Sequence, residues 1–230
     1  MPDTLSGRLE RIRGRIESAC RRAGRDPDEV TLIAVSKRQP LTKLREALDA
    51  GHRSFGENQV QEARAKAPEL PSGLDWHMIG PLQSNKVKPA VGLFDTFHAV
   101  DREKIVRALA KEAKRQSREV RAFLEVNLGD EPTKHGFGVE DFESRVRPLA
   151  EHGISFVGLM AIPPIEPRQE DTRGWFRKLR TLRDQVGTWP EWRTFEGLLS
   201  MGMSGDFEIA IEEGATHVRV GTSIFGPRPT

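Results

Sequence analysis

The sequence contains no tyrosine and only one cysteine among its 230 residues. Because Cys20 has no partner for a disulfide within the chain, a reducing compartment is favoured, and we expect a cytoplasmic protein. No apolar run approaches about 18 residues, the length that a membrane-spanning helix requires. The absence of tyrosine removes one of the side chains that serve as general bases in catalysis.

The N-terminal segment lacks the features of a targeting peptide. Residues 1–25 contain seven arginines and three acidic residues, and these charges interrupt any apolar core of a signal peptide. Apolar residues nevertheless recur at intervals of three and four, which predicts an amphipathic helix packed along one stripe: Leu5, Leu9, Ile12, Ile16 and Ala19. A basic helix can contact nucleic acid or an acidic membrane, but no aromatic residues lie between the arginines. We therefore interpret the charged face as solvated and expect neither partner.

Beyond this helix, short apolar segments alternate with longer amphipathic segments. The predicted strands are Thr31–Val35, Arg53–Phe55, Trp76–Ile79, Phe94–Val100, Val120–Asn127, Ser155–Ile162, Thr194–Ser200 and Thr216–Val220. Eight strands that each precede a helix or turn predict an α/β fold, a (β/α)8 TIM barrel with an extra N-terminal helix. An open doubly wound sheet is the alternative, but the first strand lacks the glycine-rich turn typical of that fold. No linker divides the chain, so residues 1–230 are expected to form a single domain. We also expect a monomer, although no feature of the sequence fixes the oligomeric state.

The residues at the predicted C-terminal ends of the strands, where a barrel of this type holds its active site, are rich in polar side chains and glycine. They are Ser36-Lys37, Gly56-Glu57-Asn58, His77, Gly80, His98, Asn127, Met160, Ser200-Met-Gly202 and Arg219-Val-Gly-Thr222. Lys37 lies two residues after the end of an apolar strand, and a desolvated lysine in the barrel mouth is a nucleophilic amine suited to a Schiff base. An ion pair at the rim is the alternative for Lys37, and Lys86 and Lys134 are competing candidates further from their strands.

A second candidate site follows the last two strands. Ser200-Met-Gly-Met-Ser204 and Gly221-Thr-Ser223 combine hydroxyl groups with glycine, and the loops in this position often bind phosphate. Capping of the next helix is the alternative role for Ser204. The histidines share no metal-ligand spacing, and no G-x-S-x-G motif occurs, so we expect neither a metal site nor a serine hydrolase.

A lysine and a phosphate site in one barrel mouth suit two chemistries. One is a Schiff-base aldolase that acts on a phosphorylated sugar. The other is pyridoxal phosphate, whose aldehyde and phosphate groups require these two sites.

Five segments resemble one known family. Leu32-Ile-Ala-Val-Ser-Lys37, Phe55-Gly-Glu-Asn58, Trp76-His-Met-Ile-Gly-Pro-Leu-Gln-Ser-Asn-Lys86, Leu198-Leu-Ser-Met-Gly-Met-Ser204 and Val218-Arg-Val-Gly-Thr-Ser-Ile-Phe-Gly226 are similar to motifs of the pyridoxal phosphate homeostasis proteins. The resemblance runs from about residue 8 to residue 228. It implies a single barrel similar to the N-terminal domain of alanine racemase, with pyridoxal 5′-phosphate as the cofactor.

The resemblance also implies roles for individual residues. It implies a Schiff base on Lys37, Asn58 beside the cofactor, and Arg219 against the pyridine nitrogen, and it places Ser200, Gly221 and Thr222 around the phosphate. Arg38-Gln39, His135 and Gly205 depart from the usual family residues, so the roles of Lys134 and Asp206 stay open.

Two functions remain. The protein either binds and buffers pyridoxal phosphate, in which case apo-enzymes are candidate recipients, or is a cofactor-dependent enzyme such as an amino-acid racemase. Alanine racemases use the cofactor lysine and a tyrosine from a second domain. This chain has no tyrosine, and we expect it to have no second domain, so binding is favoured over turnover.

Overall fold

The computed structural model describes residues 4–131 and 134–227. Its first element is helix α1, Leu5–Ala23, which starts where Thr4 accepts a hydrogen bond from the Gly7 N–H and ends at Gly24 in the left-handed conformation. The apolar stripe predicted from the spacing of its side chains is buried. This helix packs against the helices that follow the first and the last barrel strands in the sequence. It therefore covers the place where the last strand pairs with the first.

Parallel strands form a closed barrel, as predicted. The strands are β1 Thr31–Val35, β2 Ser54–Glu57, β3 Asp75–Met78, β4 Thr96–Val100, β5 Arg121–Asn127, β6 Phe137–Gly138, β7 Ser155–Met160, β8 Leu198–Met203 and β9 His217–Val220. Neighbours along the sheet run in the order β1-β2-β3-β4-β5-β7-β8-β9, and β9 pairs with β1 to close the barrel of eight strands. The two-residue β6 lies outside this ring, and among the described residues it pairs with the end of β5 alone.

Helices cover the outside of the barrel. After α1 they are α2 Leu41–Asp49, α3 Val60–Lys66, α4 Val87–Val91, α5 Glu103–Gln116, α6 Phe142–Val146, α7 Arg173–Val186, α8 Phe207–Glu212 and α9 Thr222–Phe225, and short 3-10 segments follow several loops. Their apolar faces are buried against the outer faces of the strands in one continuous core. Among the described residues, no helix is long and apolar enough to cross a membrane.

The structure differs from the sequence-based prediction at several element boundaries, and two of these differences have a clear backbone cause. The seventh barrel strand starts at Leu198 rather than at Thr194, because Gly197 has a positive φ of 71° that interrupts extended backbone. The amphipathic segment from about Val139 to Glu151, which the sequence predicts to be one helix, is α-helical only over Phe142–Val146 and continues as a 3-10 segment. Pro148 lacks an N–H and therefore cannot continue the α-helical hydrogen bonding there.

Candidate functional site

The turn after β1 carries Lys37 and is held from both sides. Ser36 is fully buried, and its hydroxyl donates a hydrogen bond to Glu57 Oε1 at 2.7 Å. The backbone N–H of Arg38 donates to Glu62 Oε2 at 2.6 Å, and Arg38 has a φ of 58°, in the left-handed region. Fixed residues on either side of Lys37 restrict the directions that its side chain can take.

A partly buried lysine, Lys66, connects the groups that hold this turn. Lys66 Nζ donates to Glu57 Oε1 at 2.8 Å, to Glu62 Oε2 at 3.1 Å and to the Ser36 carbonyl at 2.9 Å. The Glu57 side chain is fully buried, and this burial raises the pKa of Glu57 although the Lys66 ammonium opposes the change. The sequence analysis placed Glu57 in the barrel mouth, whereas its carboxylate supports the Lys37 turn.

Lys37 lines a cavity of about 370 Å³ at the C-terminal ends of the barrel strands. Five of the other polar or glycine positions in its wall come from three different strands or the turns that follow them. They are Asn58, Glu125, Arg219, Gly221 and Thr222. The cavity therefore brings together five of the six residues that the sequence analysis selected for cofactor binding.

Ser200 is the sixth residue, and it lies below the cavity rather than in its wall. Its side chain is fully buried, and its hydroxyl accepts a hydrogen bond from Arg219 at 2.6 Å. A second Arg219 nitrogen donates to the Ala161 carbonyl at 3.1 Å. The Ser200 hydroxyl thus contacts the arginine of the site and not the loop predicted to bind phosphate.

The loops after β8 and β9 meet at one side of the cavity. Met203 lines it from the end of β8, Ser204 and Gly205 from the loop that follows, and Gly221 and Thr222 from the turn after β9. Ser204 does not cap α8, because that position belongs to Asp206. Since α9 begins at Thr222, the first N–H groups of this helix have no acceptor inside it and are available to a ligand, as is the exposed Thr222 hydroxyl.

Glycine at two positions permits this arrangement. Gly202 has a φ of 90°, and a Cβ there would lie 2.6 Å from the Ala210 Cβ, so β8 can approach the following helix closely only with glycine. A Cβ on Gly80 would lie 2.6 Å from the backbone oxygen of Asn58. This close approach keeps Asn58 at the cavity wall.

Glu125 is a site residue that the sequence analysis did not select. It lies within β5 and lines the cavity, and its Oε2 atom is buried without a hydrogen-bond partner among the described residues. Burial, with the nearby Asp101 carboxylate, raises the pKa of Glu125 to about 7, while Arg219 opposes this change. The available signal in the sequence was an acid between two apolar strand residues, Leu124 and Val126. A group that gains and loses a proton near neutrality is thus present in the cavity.

Several candidates from the sequence analysis lie elsewhere. His77 and His98 are buried hydrogen-bonded residues inside the barrel, and the Asn127 amide donates to the Glu131 carbonyl. Lys86 lines a neighbouring cavity, and Lys134 pairs with Glu131 at 2.6 Å. Of the three candidate lysines, Lys37 alone lines the cavity that contains Arg219 and Thr222.

Comparison with known proteins first defines the class of this barrel. The family model described as "Alanine racemase, N-terminal domain" matches residues 8–229. An alanine racemase of Clostridium difficile superposes with a TM-score of 0.75 at 14% identity, and the match covers 100% of this chain and 58% of that chain. The chain is therefore a barrel of the alanine racemase N-terminal type.

Closer relatives define the family. The pyridoxal phosphate homeostasis protein of Aquifex aeolicus is 42% identical over 223 residues, which cover 96% of this chain and 97% of that protein. The structure of PipY from Synechococcus elongatus with PLP bound has a TM-score of 0.83 and 36% identity, and the match covers 97% of this chain and 100% of that chain. This chain belongs to the pyridoxal phosphate homeostasis protein family.

Proposed function

We propose that this protein binds pyridoxal 5′-phosphate as a Schiff base on Lys37 and takes part in pyridoxal phosphate homeostasis, without turning over a substrate of its own. The observation that carries this proposal is the presence of Lys37 in the same cavity as the two loops that contain Gly205, Gly221 and Thr222. Bound there, the cofactor supplies an aldehyde that condenses with an amine. The whole chain, residues 1–230, then serves as one cofactor-binding domain.

The donor groups of the cavity match the chemical groups of this cofactor. Lys37 supplies the amine, and Arg219 supplies N–H donors suited to an aromatic nitrogen that accepts a hydrogen bond. Thr222 and the first N–H groups of α9 supply donors for a phosphate. Burial lowers the pKa of Arg219 to about 10, so its guanidinium remains charged at neutral pH. We assign Asn58, which also lines the cavity, to a position beside the cofactor.

We further propose a monomer in the cytoplasm that supplies apo-enzymes with the cofactor. Among the described residues, the large apolar side chains that are exposed are Ile162, Ile165 and Met203. Two of them, Ile162 and Met203, line the cavity rather than a separate face. This distribution supports a monomer whose cavity rim is accessible to a recipient.

The Thr222→Val variant tests the phosphate site. Valine keeps the shape of threonine but removes a donor to a charged group, a bond worth about 1.5–3 kcal/mol. We expect the affinity for pyridoxal phosphate, measured by absorbance titration, to fall roughly ten- to a hundredfold. The affinity for unphosphorylated pyridoxal should stay the same, as should both affinities in Thr181→Val, a matched change on α7. Equal losses for the two ligands in Thr222→Val would place Thr222 away from the phosphate.

Racemase activity is the alternative function, and deuterium exchange at the α-carbon of added alanine tests it. Racemisation requires bases on both faces of that carbon, and a cation at Arg219 disfavours protonation of the pyridine nitrogen, which weakens the cofactor as an electron sink. We expect slow exchange at most, with the configuration of alanine retained. Inversion at about 1 s⁻¹ or more that is lost in both Lys37→Ala and Glu125→Gln would contradict the proposal and identify the second base.

A further inference from the structure

A continuous chain of hydrogen bonds crosses the interior of the barrel and ends at Arg219. Arg219 contacts Ser200 Oγ at 2.6 Å, and Ser200 Oγ lies 2.8 Å from His98 Nδ1. His98 Nε2 lies 2.9 Å from His77 Nδ1, and His77 Nε2 lies 2.7 Å from Asp75 Oδ2. We call these five residues the core hydrogen-bond chain. It runs from the start of β3, through β4 and β8, to the arginine of the cavity on β9.

The direction of every bond in the chain follows from Arg219. A guanidinium only donates, so the Ser200 oxygen accepts from Arg219 and its hydroxyl proton is left for His98 Nδ1. His98 therefore carries its proton on Nε2 and donates to His77 Nδ1, and His77 carries its proton on Nε2 and donates to Asp75. The opposite assignment would leave the fully buried Ser200 proton without an acceptor.

The residues around the core hydrogen-bond chain keep the direction of its hydrogen bonds unchanged. His98 is fully buried and stacks on Phe123 with 4.5 Å between ring centroids. Burial, together with the neighbouring His77 and His217, holds the pKa of His98 well below its ordinary value. A neutral His98 has one acceptor nitrogen and one donor nitrogen, and its hydrogen bonds with Ser200 and His77 use both. At the other end, the half-exposed Asp75 carboxylate also accepts a hydrogen bond from Ser54 at 2.9 Å.

We propose that the core hydrogen-bond chain is a positioning device that holds the Arg219 guanidinium in the direction needed to donate to the pyridine nitrogen of the bound cofactor. The proposal rests on the function proposed above. Ser200 removes one N–H of Arg219 from competition and sets the plane of the guanidinium, while His98 prevents Ser200 from rotating. Ser200, His98, His77 and Asp75 therefore act on the cofactor only through Arg219.

A cofactor analogue without the ring nitrogen separates positioning from a general structural role. We expect Ser200→Ala to lower the affinity for pyridoxal phosphate about tenfold, the effect of losing one well-placed hydrogen bond to a charged donor. The affinity for 1-deazapyridoxal phosphate, in which carbon replaces the ring nitrogen, should not change. Ser54→Ala is the control, because Ser54 contacts Asp75 but is not on the path to Arg219.

The His98→Phe variant tests whether a change further along the core hydrogen-bond chain also lowers the affinity for pyridoxal phosphate. Phenylalanine preserves the stacking on Phe123 but provides no acceptor for Ser200. We expect the same tenfold loss of affinity for pyridoxal phosphate, with the affinity for the deaza analogue unchanged. The double variant Ser200→Ala/His98→Phe should lose no further affinity, because residues in one network do not act additively. Equal losses for the two ligands in Ser200→Ala, or additive losses in the double variant, would overturn the proposal. A wild-type protein that binds neither ligand would instead refute the proposed function.

Discussion

Lys37→Ala is expected to lose the visible Schiff-base absorbance completely when pyridoxal phosphate is added, while weak non-covalent binding through the phosphate loops remains. The reason is that Lys37 alone among the three candidate lysines lines the cavity shared by Arg219 and Thr222. In the wild-type protein, borohydride reduction converts the imine to a stable secondary amine. Peptide mapping by mass spectrometry should then find the added mass on Lys37.

Lys86→Ala serves as the matched control for this experiment. Lys86 lines the adjacent cavity, whose wall shares Asn58 and Pro81 with the first. The absorbance and the reduced adduct should both persist in Lys86→Ala. An adduct mapped to Lys86 or Lys134 in the wild-type protein would contradict the assignment of Lys37.

Lys66→Met is expected to have the largest effect on stability. It removes the ammonium that contacts the fully buried Glu57 and leaves an uncompensated charge, which costs about 3–5 kcal/mol. Urea unfolding followed by tryptophan fluorescence measures this loss. The turn that carries Lys37 also loses its bond from Lys66 to the Ser36 carbonyl, so the Schiff base should form more slowly in this variant.

The pH dependence of the Lys66→Met variant has a defined sign. Burial already raises the pKa of Glu57 in the folded protein, and removing Lys66 takes away the charge that opposes this increase. The folded state then binds a proton more tightly than the unfolded state, so stability is retained at low pH and is lost as the pH rises through the folded pKa. The destabilisation should therefore be smaller at pH 5 than at pH 8.

Two controls distinguish a buried charge from a general effect of substitution. Lys66→Met combined with Glu57→Gln should recover most of the lost stability, because the amide carries no charge. Arg107→Met breaks the exposed Arg107–Glu103 pair and should scarcely change the free energy of unfolding. No recovery in the double variant would show that Lys66 stabilises the protein by packing rather than by charge.

The candidate site residues that lie at the ends of strands could be selected from the sequence. Lys37, Asn58 and Arg219 lie at or beside the C-terminal ends of barrel strands, and alternation of strands and helices locates those ends in the sequence. Glu125 was not selected because it lies inside a predicted strand. Only the tertiary structure reveals this carboxyl group, which lines the cavity and whose Oε2 atom has no hydrogen-bond partner in the described part of the chain.

The sequence by itself determined the barrel and the lysine at its mouth, because both depend on local properties: apolar periodicity, turn residues and a lysine in the turn after β1. Only the tertiary structure decided what the buried polar residues do. Ser200 and His98 are 102 residues apart, yet their side chains are 2.8 Å apart across the barrel. Spacing along the chain carries no information about such contacts, because barrel closure and strand register set them. The structure therefore places Ser200 behind Arg219, whereas the sequence analysis had placed it at the phosphate.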